Sequence, residues 1–184
     1  LEFRRVLFRS ERCELAQKWQ AQGFDSFKFA LPIADEGAVK ELKSLREALG
    51  GNARIAADLH WSLTAEESID LARELSSFNP WFLEAPVAPE CIEALRKVAK
   101  QCEQKIAAGE EWRTLHEARM RIDREACHIV QPEMGHTGIT EFLRIGRHAE
   151  KYGLTVIPHA TIGSGIFLAA SLQAAASLDC ATDH

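Results

Sequence analysis

Three acidic residues each stand at the end of a short apolar run, and this placement is the strongest chemical signal in the sequence. Asp58 follows the run RIAA, Glu84 ends the run FLE, and Glu110 follows the run KIAAG. A carboxylate in such a place loses hydration, and carboxylates that lie close together repel one another unless a cation separates them. Carboxylate oxygens suit Mg²⁺. One hypothesis is therefore a shared magnesium ion held by Asp58, Glu84 and Glu110.

Helix capping is the simpler explanation for any one of these acids, because acidic residues often cap the helix that follows a short loop. Three acids after three successive strands are harder to explain in this way. Glu111 competes with Glu110 for the third position. We prefer Glu110 because it directly follows the strand and Gly109.

Short apolar strands alternate with helices from residue 11 onward, and this alternation would position the acids. Thr64 and Glu67 have the spacing of a capping box, which predicts the start of one helix. Nearly continuous apolar strands joined by helices are typical of parallel strands that are buried on both faces. The six predicted strands lie within residues 24–31, 53–59, 80–86, 105–110, 127–133 and 154–160, and a seventh is possible at 179–184.

Two α/β architectures fit this pattern: a doubly wound open sheet and a (β/α)₈ barrel. A doubly wound nucleotide site favours a glycine-rich phosphate loop, and neither G-x-G-x-x-G nor G-x-x-x-x-G-K occurs here. Polar residues instead recur at the carboxyl ends of successive strands, where barrels gather their catalytic groups. They are Lys28, Asp58, Glu84, Glu110, Glu133 and His159. We therefore predict an incomplete (β/α)₈ barrel.

Composition argues against several classes of partner. The 184 residues carry a net charge of −5 and no Lys/Arg-rich run, so the sequence does not predict nucleic-acid binding. No apolar stretch is long enough to cross a membrane. The five cysteines are scattered and odd in number, which predicts reduced thiols and a cytoplasmic location.

The first ten residues, LEFRRVLFRS, have no cap, turn or helical stripe that links them to the rest of the chain. They correspond to a sequencing adapter read as protein, so we predict that residues 1–10 are an artefact and exclude them from reasoning about the fold. A terminal helix is the alternative. We expect residues 11–184 to be a partial barrel domain, and the chain to be a fragment in which at least one barrel strand is missing.

The ordered motifs DLH, LEAP, AAGEEW, VQPEMGHTGITE and PHATIGSGI resemble the barrel domain of the enolase superfamily, mandelate racemase subgroup. Within it they are most similar to acid-sugar dehydratases of the galactonate type. The family fold is an α+β capping domain on a modified (β/α)₈ barrel, so the resemblance implies that this chain lacks the capping domain, the first strand and the end of the barrel. The resemblance implies that Asp58, Glu84 and Glu110 bind Mg²⁺. It also implies that His159 is a general base oriented by Glu133. A structural role for His159 is the alternative.

Two departures from the family pattern bear on the chemistry. The family usually has Asp in QPD, whereas this chain has Glu133 in QPE. Many members carry Lys-x-Lys on the second strand, whereas this chain has Lys28 and then Ala30. Lys28 either orients a substrate carboxylate or forms a structural ion pair. His60 matches the histidine that acts as general acid in galactonate-type dehydratases, although it could instead stabilise its own loop.

The resemblance therefore implies a Mg²⁺-dependent hydro-lyase that converts an aldonate or aldarate to a 2-keto-3-deoxy acid. Loss of the second lysine favours elimination from one face over two-base racemisation. The alternatives are a racemase or epimerase on the same scaffold and a catalytically inactive fragment. The expected partner is a small acid-sugar substrate, and relatives of this kind commonly form homo-oligomers when full length.

Overall fold

The computed structural model describes residues 9–160 and 163–183, in which helices and parallel strands alternate. In the first half the elements are α1 (Arg9–Gln20), β1 (Ser26–Ala30), α2 (Ala38–Leu49), β2 (Arg54–Asp58), α3 (Ala65–Leu75) and β3 (Leu83–Glu84). In the second half they are α4 (Ile92–Gln101), β4 (Ile106–Ala108), α5 (Leu115–Ile122), β5 (Ile129–Val130), α6 (Met134–Lys151), β6 (Thr155–Val156) and α7 (Gly165–Ala175).

The described residues divide into two compact units. The first extends to Ala88 and includes Gln101–Lys105, and the second comprises Pro89–Lys100 and the chain from Ile106 onward. In the first unit β1 pairs with β2 and β2 with β3, and in the second β4 pairs with β5 and β5 with β6. All four pairings are parallel and join strands that are consecutive in the chain, as the alternation of elements predicts.

The central strands are buried because their residues are nearly all apolar without alternation, whereas β1 at the sheet edge has only Phe29 buried. Ile55, Ala56 and Ala57 are fully buried in β2, and β4 and β5 are similarly buried. The helices cover the strands with apolar residues at helical spacing, such as Leu42, Leu45 and Leu49 of α2. Phe142, Ile145 and Ala149 of α6 have the same spacing.

The capping box predicted at Thr64 and Glu67 is confirmed. The Thr64 side chain accepts a hydrogen bond from the backbone N–H of Glu67, whose carboxylate accepts one from the backbone N–H of Thr64. The hydrogen bonds that the Glu67 carboxylate accepts from the backbone N–H and the hydroxyl of Thr64 hold the pKa of that carboxyl below its usual value. Thr114 and Glu117 form a second capping box at the start of α5.

Helix α6 begins at Met134, because Glu133 caps its first turn, and Gly138, with φ of 62°, marks a kink within it. Two sequence-based expectations fall near the ends of the described residues. The possible seventh strand is an isolated bridge between Val156 and Ala181, and His184 lies outside the described residues. Of the predicted artefact at 1–10, Arg9 and Ser10 belong to α1 and residues 1–8 lie outside the described residues.

All five cysteines are free thiols in the structure: Cys13, Cys91, Cys102, Cys127 and Cys180. Burial raises the pKa of the Cys127 thiol to about 12. Among the described residues, every helix is too short or too polar to cross a lipid bilayer.

Candidate active site

Asp58 and Glu84 are neighbours at the carboxyl ends of β2 and β3. The register of this strand pair places Asp58 opposite Glu84, and partners in a parallel ladder project to the same face of a sheet. Both residues are buried, with 7% and 0% of their surface exposed. Two buried carboxylates on adjacent strands require positive charge beside them if both are to stay ionised.

Lys28 provides positive charge to this pair. Its Nζ donates a hydrogen bond of 2.5 Å to Oε1 of Glu84, from the outer strand of the same sheet. Lys28 lies two residues before Ala30, whose register partner is Asp58. Lys28 and Asp58 therefore share one face of the sheet, and the structural ion pair considered for Lys28 is present.

His60 lies in the turn that follows β2. The strand ends at Asp58, so the alternation of side chains along β2 does not extend to His60. Instead His60 adopts a left-handed conformation with φ of 52°. Its backbone N–H donates to Oδ1 of Asp58 at 2.8 Å, and its ring Nδ1 lies 3.5 Å from Oδ2 of the same carboxylate. The turn therefore returns the half-exposed imidazole to the side of Asp58.

The helix-capping explanation fails for the three strand-end acids of the magnesium hypothesis. The caps of α3 and α5 are Thr64 and Thr114, which lie several residues beyond Asp58 and Glu110. Glu84 lies eight residues before the start of α4. The carboxylates of these residues are therefore buried at strand ends without serving helix termini.

His159 lies between two carboxylates in the second unit. Its Nδ1 is 2.7 Å from Oε2 of Glu133, and its Nε2 is 2.6 Å from Oε2 of Glu110. A β-bridge also joins the backbones of Glu133 and His159. The longer side chain of Glu133, compared with the aspartate usual in the family, therefore reaches the ring.

Glu133 has two roles in this arrangement. Its Oε1 accepts the backbone N–H of Gly135 at 3.1 Å and caps α6, while its Oε2 contacts the ring of His159. The side chain is fully buried. Both carboxylate oxygens are thus fixed, which orients the imidazole and determines which ring nitrogen faces Glu133.

Glu110, rather than Glu111, contacts His159. Glu110 is buried against the imidazole, whereas Glu111 is directed elsewhere and burial raises the pKa of its carboxyl. Glu110 and Glu111 lie in a tight turn, closed by a hydrogen bond of 3.1 Å from the Trp112 N–H to the carbonyl of Gly109, and their side chains leave this turn in different directions. The preference for Glu110 in the sequence agrees with this geometry.

Gly109 makes this turn possible, and Gly109→Ala is expected to destabilise the protein by about 2 kcal/mol. Its φ is 131°, and an added Cβ would lie 3.0 Å from the backbone nitrogen of Gln131 and 3.1 Å from the Trp112 ring. The midpoint of thermal unfolding should fall by roughly 4–8 °C. Gly51→Ala is the control, because Gly51 has open space at the Cβ position. An equal effect of the two substitutions would contradict this explanation.

Two residues near Glu110, His136 and Trp112, acquire defined roles only in the structure. The His136 ring Nδ1 lies 2.8 Å from the backbone carbonyl of Glu110 and fixes that backbone. Trp112 is 1% exposed and packs beneath the turn, while Arg113 is exposed. In the motif HATIGSG, Thr161 and Ile162 lie outside the described residues. The spacing of GHTGIT gave no signal that His136 would bind this carbonyl.

The sequence matches the enolase C-terminal domain-like family over residues 11–184, and the chain belongs to this family. It is therefore a member of the enolase superfamily, and its parallel α/β units are part of a barrel domain of that type.

Particular relatives are similar over most of this chain. D-galactonate dehydratase of Ralstonia nicotianae is 34% identical over 164 residues, covering 84% of this chain and 43% of the relative. A candidate isomerase of Sinorhizobium meliloti is 55% identical with a TM-score of 0.94, covering 96% of this chain and 46% of that chain. The 3,6-anhydro-D-galactonate cycloisomerase of Zobellia galactanivorans is 26% identical with a TM-score of 0.89, covering 97% and 51%. The chain thus spans about half the length of these relatives.

Proposed function

We propose that the protein removes the proton α to the carboxylate of a small acid-sugar substrate, with His159 as the general base. The contact between Nδ1 of His159 and Oε2 of Glu133 is the observation that supports this role. A proton on Nδ1, donated to Glu133, leaves Nε2 as the nitrogen that accepts the substrate proton. The carboxylate partner also raises the basicity of the imidazole.

We propose that Asp58, Glu84 and Glu110 are the ligands of a magnesium ion. Each offers a buried carboxylate that does not cap a helix, and a set of hard oxygen donors fits Mg²⁺. When bound, Mg²⁺ stabilises the negative charge that develops on the substrate carboxylate as the α-proton leaves. Glu110 cannot at the same time give Oε2 to a cation and accept the Nε2 proton of His159. Engagement of Glu110 as a ligand therefore leaves Nε2 available to substrate.

His60 is the proposed general acid for elimination of the β-hydroxyl. The C–H electron pair at the α-carbon forms the new C=C bond, the β-carbon–oxygen bond breaks, and the proton of His60 converts the leaving hydroxide to water. The enol then tautomerises to a 2-keto-3-deoxy acid. Lys28 is placed to neutralise Glu84 and, when released from it, to pair with a substrate carboxylate. The 34% identity to D-galactonate dehydratase supports this reaction class and an acid-sugar substrate.

Isomerisation is the second candidate function, because a candidate isomerase at 55% identity and a cycloisomerase at 26% identity are among the similar structures. An isomerase or epimerase would use the same removal of the α-proton and differ in the later steps. Ala30 takes the place of the second lysine, which favours chemistry on one face. His60 would then have to return a proton from the opposite face.

The test is a screen of aldonates and aldarates with the protein expressed from its complete gene, in D₂O with Mg²⁺. Formation of 2-keto acids, detected as semicarbazones, together with deuterium at the α-carbon of remaining substrate would support the dehydratase. Deuterium exchange or an isomeric product without keto acid would support the isomerase. If a chain that folds and binds Mg²⁺ gave neither exchange nor product with any acid sugar, both functions would be rejected in favour of an inactive protein.

A further inference from the structure

The turn after Asp58 contains two consecutive residues in the left-handed region. The φ angles of His60 and Trp61 are 52° and 55°. Bulky residues such as tryptophan rarely adopt this conformation, which persists only where the surrounding structure enforces it. Histidine adopts it more readily than most residues, so the strain lies mainly at Trp61. The strain indicates that a particular placement of these two side chains is maintained.

Backbone hydrogen bonds from two directions hold this turn. The Trp61 N–H donates to the carbonyl of Ala85 at 2.7 Å, and the His60 N–H donates to Oδ1 of Asp58 at 2.8 Å. Ala85, directly after Glu84, is itself left-handed with φ of 45°. Further on, a bridge joins Leu63 to Val87. The segments that follow β2 and β3 therefore fix each other immediately beyond Asp58 and Glu84.

The consequence of this backbone is a contact between two aromatic rings. The imidazole of His60 and the indole of Trp61 have centroids 5.0 Å apart and planes inclined by 40°, within the range of favourable aromatic pairs. The side chain of His60 is 53% exposed, and its ring lies 3.5 Å from Asp58, at the limit of a hydrogen bond. Trp61 thus packs against an imidazole that faces solvent.

We propose that Trp61 is a positioning residue that holds the imidazole of His60 in the orientation from which it delivers a proton to the leaving hydroxyl. The proposal rests on the proposed role of His60 as general acid. Proton delivery requires the donor nitrogen within about 2.6–3.2 Å of the accepting oxygen. Without the indole, the exposed ring samples other rotamers, and the fraction of substrate complexes with a placed acid falls. Removal of the α-proton by His159 does not depend on this placement.

The test uses the protein expressed from its complete gene and measures separately the removal of the α-proton and the delivery of a proton to the leaving hydroxyl. Exchange of the substrate α-proton in D₂O, monitored by NMR, reports proton removal by His159. Formation of keto acid reports protonation of the leaving hydroxyl by His60. Trp61→Leu should lower the ratio of product formation to exchange about tenfold, with the exchange rate unchanged. Trp61→Phe, which restores an aromatic ring, should keep the ratio near that of the unmodified protein.

Trp81→Phe is the matched control, because Trp81 lies in the same unit and packs against Phe82 rather than against a proposed catalytic residue. A ratio that is unchanged in Trp61→Leu would overturn the proposal. Equal loss of both steps would also overturn it, because it would indicate a general structural role for Trp61. Thermal unfolding of each variant identifies any loss of fold, and Trp61→Phe still tests the proposal if Trp61→Leu is unfolded.

Other outcomes would reject the proposed role of His60 or the proposed function, and they differ from the outcome that rejects only the role of Trp61. If His60→Gln leaves the ratio unchanged, His60 is not the acid, and both the proposed role and the inference fall. If the unmodified protein gives neither α-proton exchange nor keto acid, the proposed function itself is rejected. A lowered ratio in His60→Gln with an unchanged ratio in Trp61→Leu would retain the function and reject only the inference.

Discussion

Replacement of His159 by asparagine is expected to reduce both α-proton exchange and turnover by about 10²–10⁴-fold. The substitution removes the base but leaves the proposed magnesium ligands Asp58, Glu84 and Glu110 in the sequence. Exchange and turnover should fall together, because no later step proceeds without loss of the α-proton. The measurement is α-proton exchange in D₂O alongside product formation, at saturating Mg²⁺.

The contacts of His159 define the control for this experiment. Its ring contacts Glu133 and Glu110 at 2.7 and 2.6 Å, and a smaller amide cannot span both carboxylates. Some loss of stability will therefore accompany the loss of activity, and rates should be measured well below the unfolding midpoint. His116→Asn, at an exposed position of α5, controls for a general effect of replacing a histidine. Exchange at the unmodified rate in a folded His159→Asn protein would reject His159 as the base.

Substitution of Glu84 by glutamine should abolish measurable magnesium binding and lower turnover by at least about 10³-fold. The change preserves shape but removes the charge of a fully buried residue. A metal acting as a Lewis acid contributes several kcal/mol to stabilisation of the transition state, which corresponds to a factor of this size. Lys28 also loses its partner at 2.5 Å, so its positive charge is left near the ion site. Titration calorimetry with Mg²⁺ provides a readout that does not depend on substrate.

Glu93→Gln is the matched control for this substitution, because Glu93 is an exposed residue of α4 whose contact is an ion pair with Arg96. We expect it to leave magnesium affinity and turnover unchanged. Restoration of binding to Glu84→Gln by a second change, Lys28→Met, would identify repulsion by Lys28 as the main cause of the loss. Magnesium affinity equal to that of the unmodified protein in Glu84→Gln alone would remove Glu84 from the ligand set.

The His159 and Glu84 substitutions distinguish two parts of the proposed site. Loss of the base should leave magnesium binding intact, whereas loss of the ligand should remove both binding and exchange. A protein in which both variants bind Mg²⁺ normally and retain exchange would be consistent with neither role. The same pair of measurements applies to the dehydratase and to the isomerase, since both begin with removal of the α-proton.

The sequence alone predicted the alternation of helices and parallel strands and the residues at the strand ends. Apolar runs and helical spacing are local patterns, so they identify the elements without knowledge of the fold. The capping box at Thr64 and Glu67 is local in the same sense and is confirmed. The order of the motifs around Asp58, Glu84 and Glu110 was enough to indicate the family, which the match over residues 11–184 confirms.

Only the tertiary structure decided how these side chains meet. The pairing of Lys28 with Glu84 joins residues 56 positions apart, and strand register rather than any local pattern brings them together. The same holds for the contacts of His159 with Glu133 and Glu110. The ring of His60 lies beside Asp58 because of a left-handed turn after β2, which no local pattern in the sequence predicts. Local sequence determines which elements form, but contacts between distant residues depend on register and backbone conformation, which the folded chain fixes as a whole.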